Sequence, residues 1–453
     1  MDGLAELEDA RDEYERAEEY YENSMLELFV SPRLRRALLA SEITFRIRLA
    51  KIPVDAVANR LEISSVTVPD NTEATSMIER IWDENGLLLE APNVHQKACM
   101  FGDCYIVVWD ADEGETVDIM YNSPLTMRIV YDQENPHVKK FAIKEWLVES
   151  TDETVKDYRR ANLYYADRIE RYMTGPDAKG DKESDWLSFD DSDEDTEFGD
   201  EDGSIIENPH GVIPVFHFRN GAPYGTPEHE AAYGPQDAIN KLVVTQMATI
   251  DYQGFPQRYA LAEPQITSED AADFGIDDTE ADEGTGTQST LTSGPGEVWW
   301  LNGIKGVGQF TTADPDAFLK PMDRYVRLMA SVTETPLHYF DPMGDSPSGE
   351  ALRAKEAPLI KRIINRRQSF AATWSDVFTF ALSVVGIEVE KVDVRWTSPA
   401  SLDDLDGWRT AEIKLSLGVP AKQLLLEAGY TESQVSEWLT DKEIEPEKGT
   451  EQP

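Results

Sequence analysis

The chain has 453 residues, 87 of them Asp or Glu against 42 Lys or Arg, for a formal charge of -45, and 40% of its residues are hydrophobic. That length and apolar share describe a folded protein built as several domains or as one large elongated subunit. The charge excludes a protein that coats DNA with a basic surface, though not one that surrounds DNA without gripping it.

Only Cys99 and Cys104 occur, and their spacing lacks the companion Cys or His of a zinc site, so two reduced core cysteines are expected. The N-terminus, MDGLAELEDARDEYERAEEYYE, has no basic stretch followed by an apolar one, which argues against a secretory signal. No apolar run reaches the length of a membrane span. Acidity of this degree also suits a salty environment.

In chain order, residues 4–29 read as a charged amphipathic helix with Leu4, Leu7, Tyr14, Tyr21, Met25 and Leu28 at helical spacings. A second helical element is expected around 33–62, with Pro53 starting or interrupting it. Helices follow at Thr75–Asn85, ended by Gly86, and at Val94–Phe101. CYIVVW (104–109), TVDIMYNS, TMRIVYD, KKFAIKEWLV and YYADRIERYMTG then read as strands. A mixed helical and β domain is expected up to about residue 222.

Residues 179–203 break this pattern. From Asp181 to Asp202 there are 12 acidic residues and one Lys, without the spacing of a calcium-binding loop, so a solvated acidic insertion is expected. HGVIPVFHFRNG (210–221) reads as a strand re-entering the core. Tyr233–Tyr252 reads as a helix, ended by Gly254 and Pro256. A turn-rich stretch follows, with eight carboxylates between Glu269 and Glu283, then the aromatic strand GEVWWLNG and a helix at 313–336 containing Pro321. Two helices thus bracket an excursion of about 60 residues.

The loop DPMGDSPSG (341–349) precedes a glycine-free pattern from Glu350 to Leu382. There Leu352, Leu359, Ile363, Phe370, Trp374, Phe378 and Leu382 form an apolar stripe, and Pro358 predicts a kink. Lys355, Lys361, Arg362, Arg366 and Arg367 lie on its other faces. They either pair with acids of this chain or reach a phosphate backbone or a neighbouring subunit. IEVEKVDVRW (387–396) alternates like a strand. Short helices follow, with Ser401 and Ser416 as caps and breaks at 418–420 and 429–430.

No constellation for chemistry stands out. There is no G-x-x-x-x-G-K-[ST] loop, dinucleotide fingerprint, H-E-x-x-H or G-x-S-x-G. The six histidines, His95, His137, His210, His217, His229 and His338, are scattered and read as structural. No cofactor or metal is expected.

The order of elements is more specific than any one of them. HGVIPVFHFRN, YGPQDAINKLVVTQMATIDY, TETPLHYFDPMGDSPSGEALRAKEAPLIKRIINRRQSFAATWSDVFTFAL and RWTSPASLDDLDGWRTAEIKLSLGVPAKQLLLEAG, in this sequence, resemble the tailed-phage portal proteins of the SPP1 Gp6-like kind over nearly the whole length. The resemblance implies an α+β, elongated, mainly helical subunit. Its parts would be a mixed α/β wing (1–232, with a strand return at 383–399), a first stem helix (233–254), a clip insertion (255–315), a second stem helix (316–336), a tunnel loop (337–350), a long kinked helix (351–382) and a helical crown (400–453). It implies a ring, typically a dodecamer, at one capsid vertex of a virion, assembled in the host cytoplasm. Double-stranded DNA would pass through the channel without sequence readout. Terminase large subunit and head-completion or adaptor proteins would dock on the ring, which would also meet scaffolding and major capsid proteins, with no membrane involved.

Carried onto this chain, the channel candidates are Met343, Gly344, Asp345, Ser346, Ser348, Lys355, Lys361, Arg362 and Arg366. The stem candidates are Lys241, Gln246, Arg324 and Arg327, and the clip docking candidates are Trp299 and Trp300. An acidic wall repels phosphates and leaves no deep binding minima, while a few cations centre the duplex. Alternative readings are another ring-forming head–tail connector or minor capsid protein, or a metal-dependent nuclease using acidic-loop residues such as Asp191 and Asp193.

Overall fold

The computed structural model describes residues 2–24, 47–111, 115–149, 157–175, 178–189, 204–254, 258–262, 304–309, 316–341, 349–399, 405–427, 435, 438 and 439. The chain divides into two compact units. One comprises Met1–Met25, Arg46–Gly234 and Met329–Pro453, the other Leu26–Phe45 and Pro235–Leu328.

The first unit opens with helix α1 (Asp2–Glu22), whose Leu7, Tyr14 and Tyr21 are buried as the helical spacing requires. The short helix α2 (Ile52–Ala58) carries Pro53 at its second position, where the first turn leaves an amide without a partner in any case. Strand β1 (Ile63–Thr67) follows, which the sequence did not announce. Helix α3 (Thr72–Glu84) is capped by Asn71, whose side chain accepts the Ala74 amide. The expected stop at Gly86 is found, and the same residue serves as a link to the next helix. Asn85 ends α3, and Gly86, in the left-handed region at φ 57°, opens α4 (Leu87–Phe101). Helix α4 starts seven residues before the expected Val94 and takes Pro92 into its second turn, where the proline supplies no amide for the Leu88 carbonyl.

Strand β2 (Asp103–Ala111) lies between β10 (Val215–Arg219) and β3 (Thr116–Asn122), with Phe218 opposite Cys104 and Met120 opposite Val107. A second antiparallel sheet runs in the order β4 (Met127–Tyr131), β5 (Lys139–Val148), β6 (Tyr158–Tyr164), β7 (Arg168–Thr174) and β8 (Trp186–Ser188), and β9 (Ile205–Glu207) also pairs with β7. Of the acidic insertion, 190–203 lies outside the described residues.

The long helix α7 (Gly349–Val384) packs its stripe into the main core. Leu359, Ile363, Phe370, Trp374, Phe378 and Leu382 are all fully buried there. Each such side chain contributes about 1.5–3 kcal/mol through removal from water. Both cysteines are free and buried in the same core. Strand β13 (Asp393–Trp396) pairs with β1, and helices α8 (Leu405–Ser416) and α9 (Ala421–Glu427) follow.

Helix α5 (Tyr233–Gly254) crosses the boundary between the units at Gly234. In the second unit β11 (Arg258–Ala262) and β12 (Ile304–Gln309) form an antiparallel ribbon, with Ala260 opposite Val307. Helix α6 (Asp316–Val332) returns the chain, carrying Pro321 in its second turn. The expected aromatic strand at 296–303 lies outside the described residues. No helix among the described residues is long and apolar enough to cross a membrane.

Candidate functional site

The basic half of α7 sorts into two groups. Lys355 and Lys361 are exposed. Arg362 and Arg366 turn inward to Glu228, which is almost wholly buried. Arg366 donates to one carboxylate oxygen and, at 3.0 Å, to the Asn220 carbonyl. Arg362 lies 3.5 Å from the other oxygen and donates to the Thr333 carbonyl. Arg367 is buried, donates to the carbonyls of Arg60 and Thr397, and sits over the Trp396 ring. Burial, and then the neighbouring Arg60, lower its pKa to about 10. Of the six cations in this half, Arg362, Arg366 and Arg367 therefore serve the subunit's own packing, while Arg353, Lys355 and Lys361 lie on its surface.

The start of α7 is held by a second cluster. Glu356, also buried, accepts from Arg60 at 3.1 Å and from the Tyr339 hydroxyl at 3.3 Å, and His338 lies 3.5 Å away. The residues flanking the loop 342–348 are thereby fixed on both sides. Met343, Gly344, Asp345, Ser346 and Ser348 themselves lie outside the described residues, as do Trp299 and Trp300. Lys241, Arg324 and Arg327 are exposed and Gln246 is half-buried, all within the second unit.

Helix α7 also closes the outer edge of β10. Arg366, Ser369 and Thr373, on successive turns, donate to the carbonyls of Asn220, Arg219 and His217. Side chains thus occupy strand groups that would otherwise be open. The sequence pattern contains no sign of this, since the donors and acceptors are about 150 residues apart.

Behind β10 lies a buried polar network that sequence reading missed. Asp103 accepts from His217 Nε2 at 2.8 Å, the Tyr14 hydroxyl at 2.7 Å and the Gly225 amide at 2.7 Å. Burial raises its pKa, but the His217, Gly225 and Tyr14 hydrogen bonds outweigh burial and hold the carboxyl below its usual range. Burial keeps His217 neutral more strongly than Asp103 favours its cation. Its Nδ1 is therefore free to accept the Tyr131 hydroxyl at 2.8 Å. The backbones of Gly102 and Gly225 cross here so closely that a Cβ on Gly225 would lie 2.1 Å from the Gly102 carbonyl oxygen. His95 and His229 are buried as well, and desolvation lowers each to about pKa 4. The histidines at these positions are core residues, and no grouping of metal-ligating side chains occurs among the described residues.

Comparison with known proteins gives this chain its class, that of structural proteins of phage virions. A family model for phage portal proteins, SPP1 Gp6-like, matches residues 4–447, and the chain belongs to that family. The portal protein of Mycobacterium phage D29 is 23% identical over 372 residues, covering 78% of this chain and 68% of that protein. The portal protein of Mycobacterium phage L5 is 22% identical over 391 residues, covering 82% and 71%. Among solved structures, a chain from the neck of an empty gene transfer agent particle is 12% identical, with a TM-score of 0.46, over 89% of this chain and 95% of that one. A chain from the virion of a native gene transfer agent particle is 12% identical, with a TM-score of 0.42, over 88% and 99%. As a portal protein, the chain provides the passage used in packaging a viral genome.

Proposed function

We propose that twelve copies of this subunit close into a ring at one capsid vertex, and that the ring's acidic lining lets a DNA duplex slide without sticking. In this reading the first unit up to residue 232, with 383–399, is the wing, and α5 and α6 are the stem. The excursion 255–315 is the clip, residues 337–350 are the tunnel loop, α7 is the long helix behind it, and 400–453 is the crown. The clip, with Trp299 and Trp300, receives the terminase large subunit during packaging and a head-completion or adaptor protein afterwards. The wing meets scaffolding and major capsid proteins during assembly in the host cytoplasm.

The observation that carries this reading is the order of the chain. One unit is interrupted by a helix, a strand ribbon and a returning helix, and then continues into a 36-residue helix, all inside a family match from 4 to 447. Engagement of Arg366 with Glu228, and of Arg362 with Glu228 and Glu334, supports a channel role for Lys355 and Lys361, whose side chains are exposed. Point charges of this kind centre a polyanion without reading its bases. Negative-stain images of the purified protein test the reading. Rings with a central channel and a narrow neck are expected, and a protein that stays a single subunit at high concentration overturns it.

A further inference from the structure

Strand β1 differs from every other strand edge that α7 or a neighbouring sheet covers. Among the described residues β13 is its sole strand partner. A cavity of about 840 Å³ is lined by every residue of β1 and by α3, with no β13 residue in its wall, so it opens on the strand's unpaired side. A second cavity of about 340 Å³ shares Ile63, Trp82 and Leu88 with the first and extends the groove to Asn59 and Gln96. Leu88, which lines both cavities, is 77% exposed. The Ser64 hydroxyl, in the wall of the larger cavity, is buried without a partner.

Proteins normally protect an open edge with Lys, Pro or a covering element. The sequence of β1, ISSVT, has neither residue. The groove is also one-sided in charge. Glu62, Asp70, Glu79 and Asp83 line it, and no Lys or Arg does. His95, the remaining titratable group in its wall, is neutral and already committed on both nitrogens, to the Leu61 carbonyl at 2.7 Å and the Trp374 indole at 2.8 Å.

We propose that this groove is a docking site for an extended, cation-bearing segment of another protein, which adds to β1 as a strand. Main-chain hydrogen bonds along β1 supply the register. A strand of five or six residues spans about 17–20 Å, the length that β1 offers. Alternate apolar side chains enter the cavity beside Trp82 and Leu88, and the longer Lys or Arg side chains reach the exposed carboxylates of Glu79 and Asp83 at its rim. The site lies wholly in the first unit and does not depend on the ring reading.

The probe is a fluorescein-labelled ten-residue peptide of alternating Lys and Val, titrated against the full chain by fluorescence anisotropy. Hydrogen–deuterium exchange of residues 63–68 is followed in parallel. Saturable binding with slowed exchange at 63–68 is expected. A peptide with Pro in place of alternate residues, unable to donate along a strand, should bind at least tenfold more weakly, as should a Glu/Val peptide. The exposed substitutions Glu79→Lys with Asp83→Lys should weaken the Lys/Val probe at least tenfold without changing the far-UV circular dichroism. Leu88→Ser should weaken it about threefold. The proposal is overturned by absence of binding, by equal binding of the Pro-containing peptide, or by binding without protection of 63–68. Protection of 63–68 that arises on self-assembly without any peptide also overturns it, by assigning the edge to a neighbouring copy.

Discussion

His217 Nε2 lies 2.8 Å from Asp103 Oδ1, both side chains sealed from solvent, and this pair ties β10 to the first residue of β2. Asp103→Asn keeps the shape but removes the charge that three donors share. A loss of about 2–4 kcal/mol in urea unfolding is expected, because hydrogen bonds to a buried charged acceptor are strong and their donors have no substitute. A change below about 0.5 kcal/mol would show that the network does not anchor the sheet.

Glu228→Gln leaves Arg362 and Arg366 facing a neutral group in a partly buried site. The expected cost is about 3 kcal/mol, since breaking a buried pair strands the remaining charge. Thermal unfolding of the variant beside Lys355→Gln checks this. The lysine variant should unfold like the parent, within about 0.5 kcal/mol, because its side chain is exposed.

For function the order of these two sites inverts. Lys355→Gln with Lys361→Gln should reduce DNA packaging in assembled particles while leaving the subunit's stability unchanged. Packaging yield at two salt concentrations reads this out, since phosphate contacts weaken as salt rises. Deleting Gly344–Ser348 should change packaged genome length or retention. Unchanged packaging in both variants would remove the channel assignment from this segment.

Acid should destabilise the first unit in a defined window. His95 and His229 have folded pKa values near 4, below the ordinary value of 6.5. The unfolded chain therefore binds their protons first as the pH falls. Their contribution is full above pH 6.5 and is lost progressively between 6.5 and 4, by up to roughly 3 kcal/mol each. Thermal melting followed from pH 7.5 to 4 checks this, and replacing His229 with Gln should flatten the curve over that interval.

How far the fold was legible depended on whether its cause was local. The α7 stripe from Leu359 to Leu382 and the strand CYIVVW follow from periodicity, and both fall where their spacing puts them. Strand β1 escaped because ISSVT is short and mostly polar, and its reason for being a strand is β13, some 330 residues away. Pro92 masked the first turn of α4, and the ribbon strand β12, IKGVGQ, carries two glycines that weaken its strand pattern. At the candidate site the basic character of α7 was visible in sequence. Which of its cations are neutralised was not, because Glu228 and Arg366 are 138 residues apart. Asp103, unremarkable among 87 acids, gained its role from tertiary placement alone.

Helix α7 grips the carbonyls of His217 and Arg219 on β10, and of Asn220 just beyond it, with side chains from three successive turns. The helix cannot slip along its axis or roll about it without releasing those bonds and uncovering Trp374 and Phe370 together. Load carried along α7 beyond Arg366 is therefore passed to the β sheet at three points together, which makes this half of the helix a strut against β10.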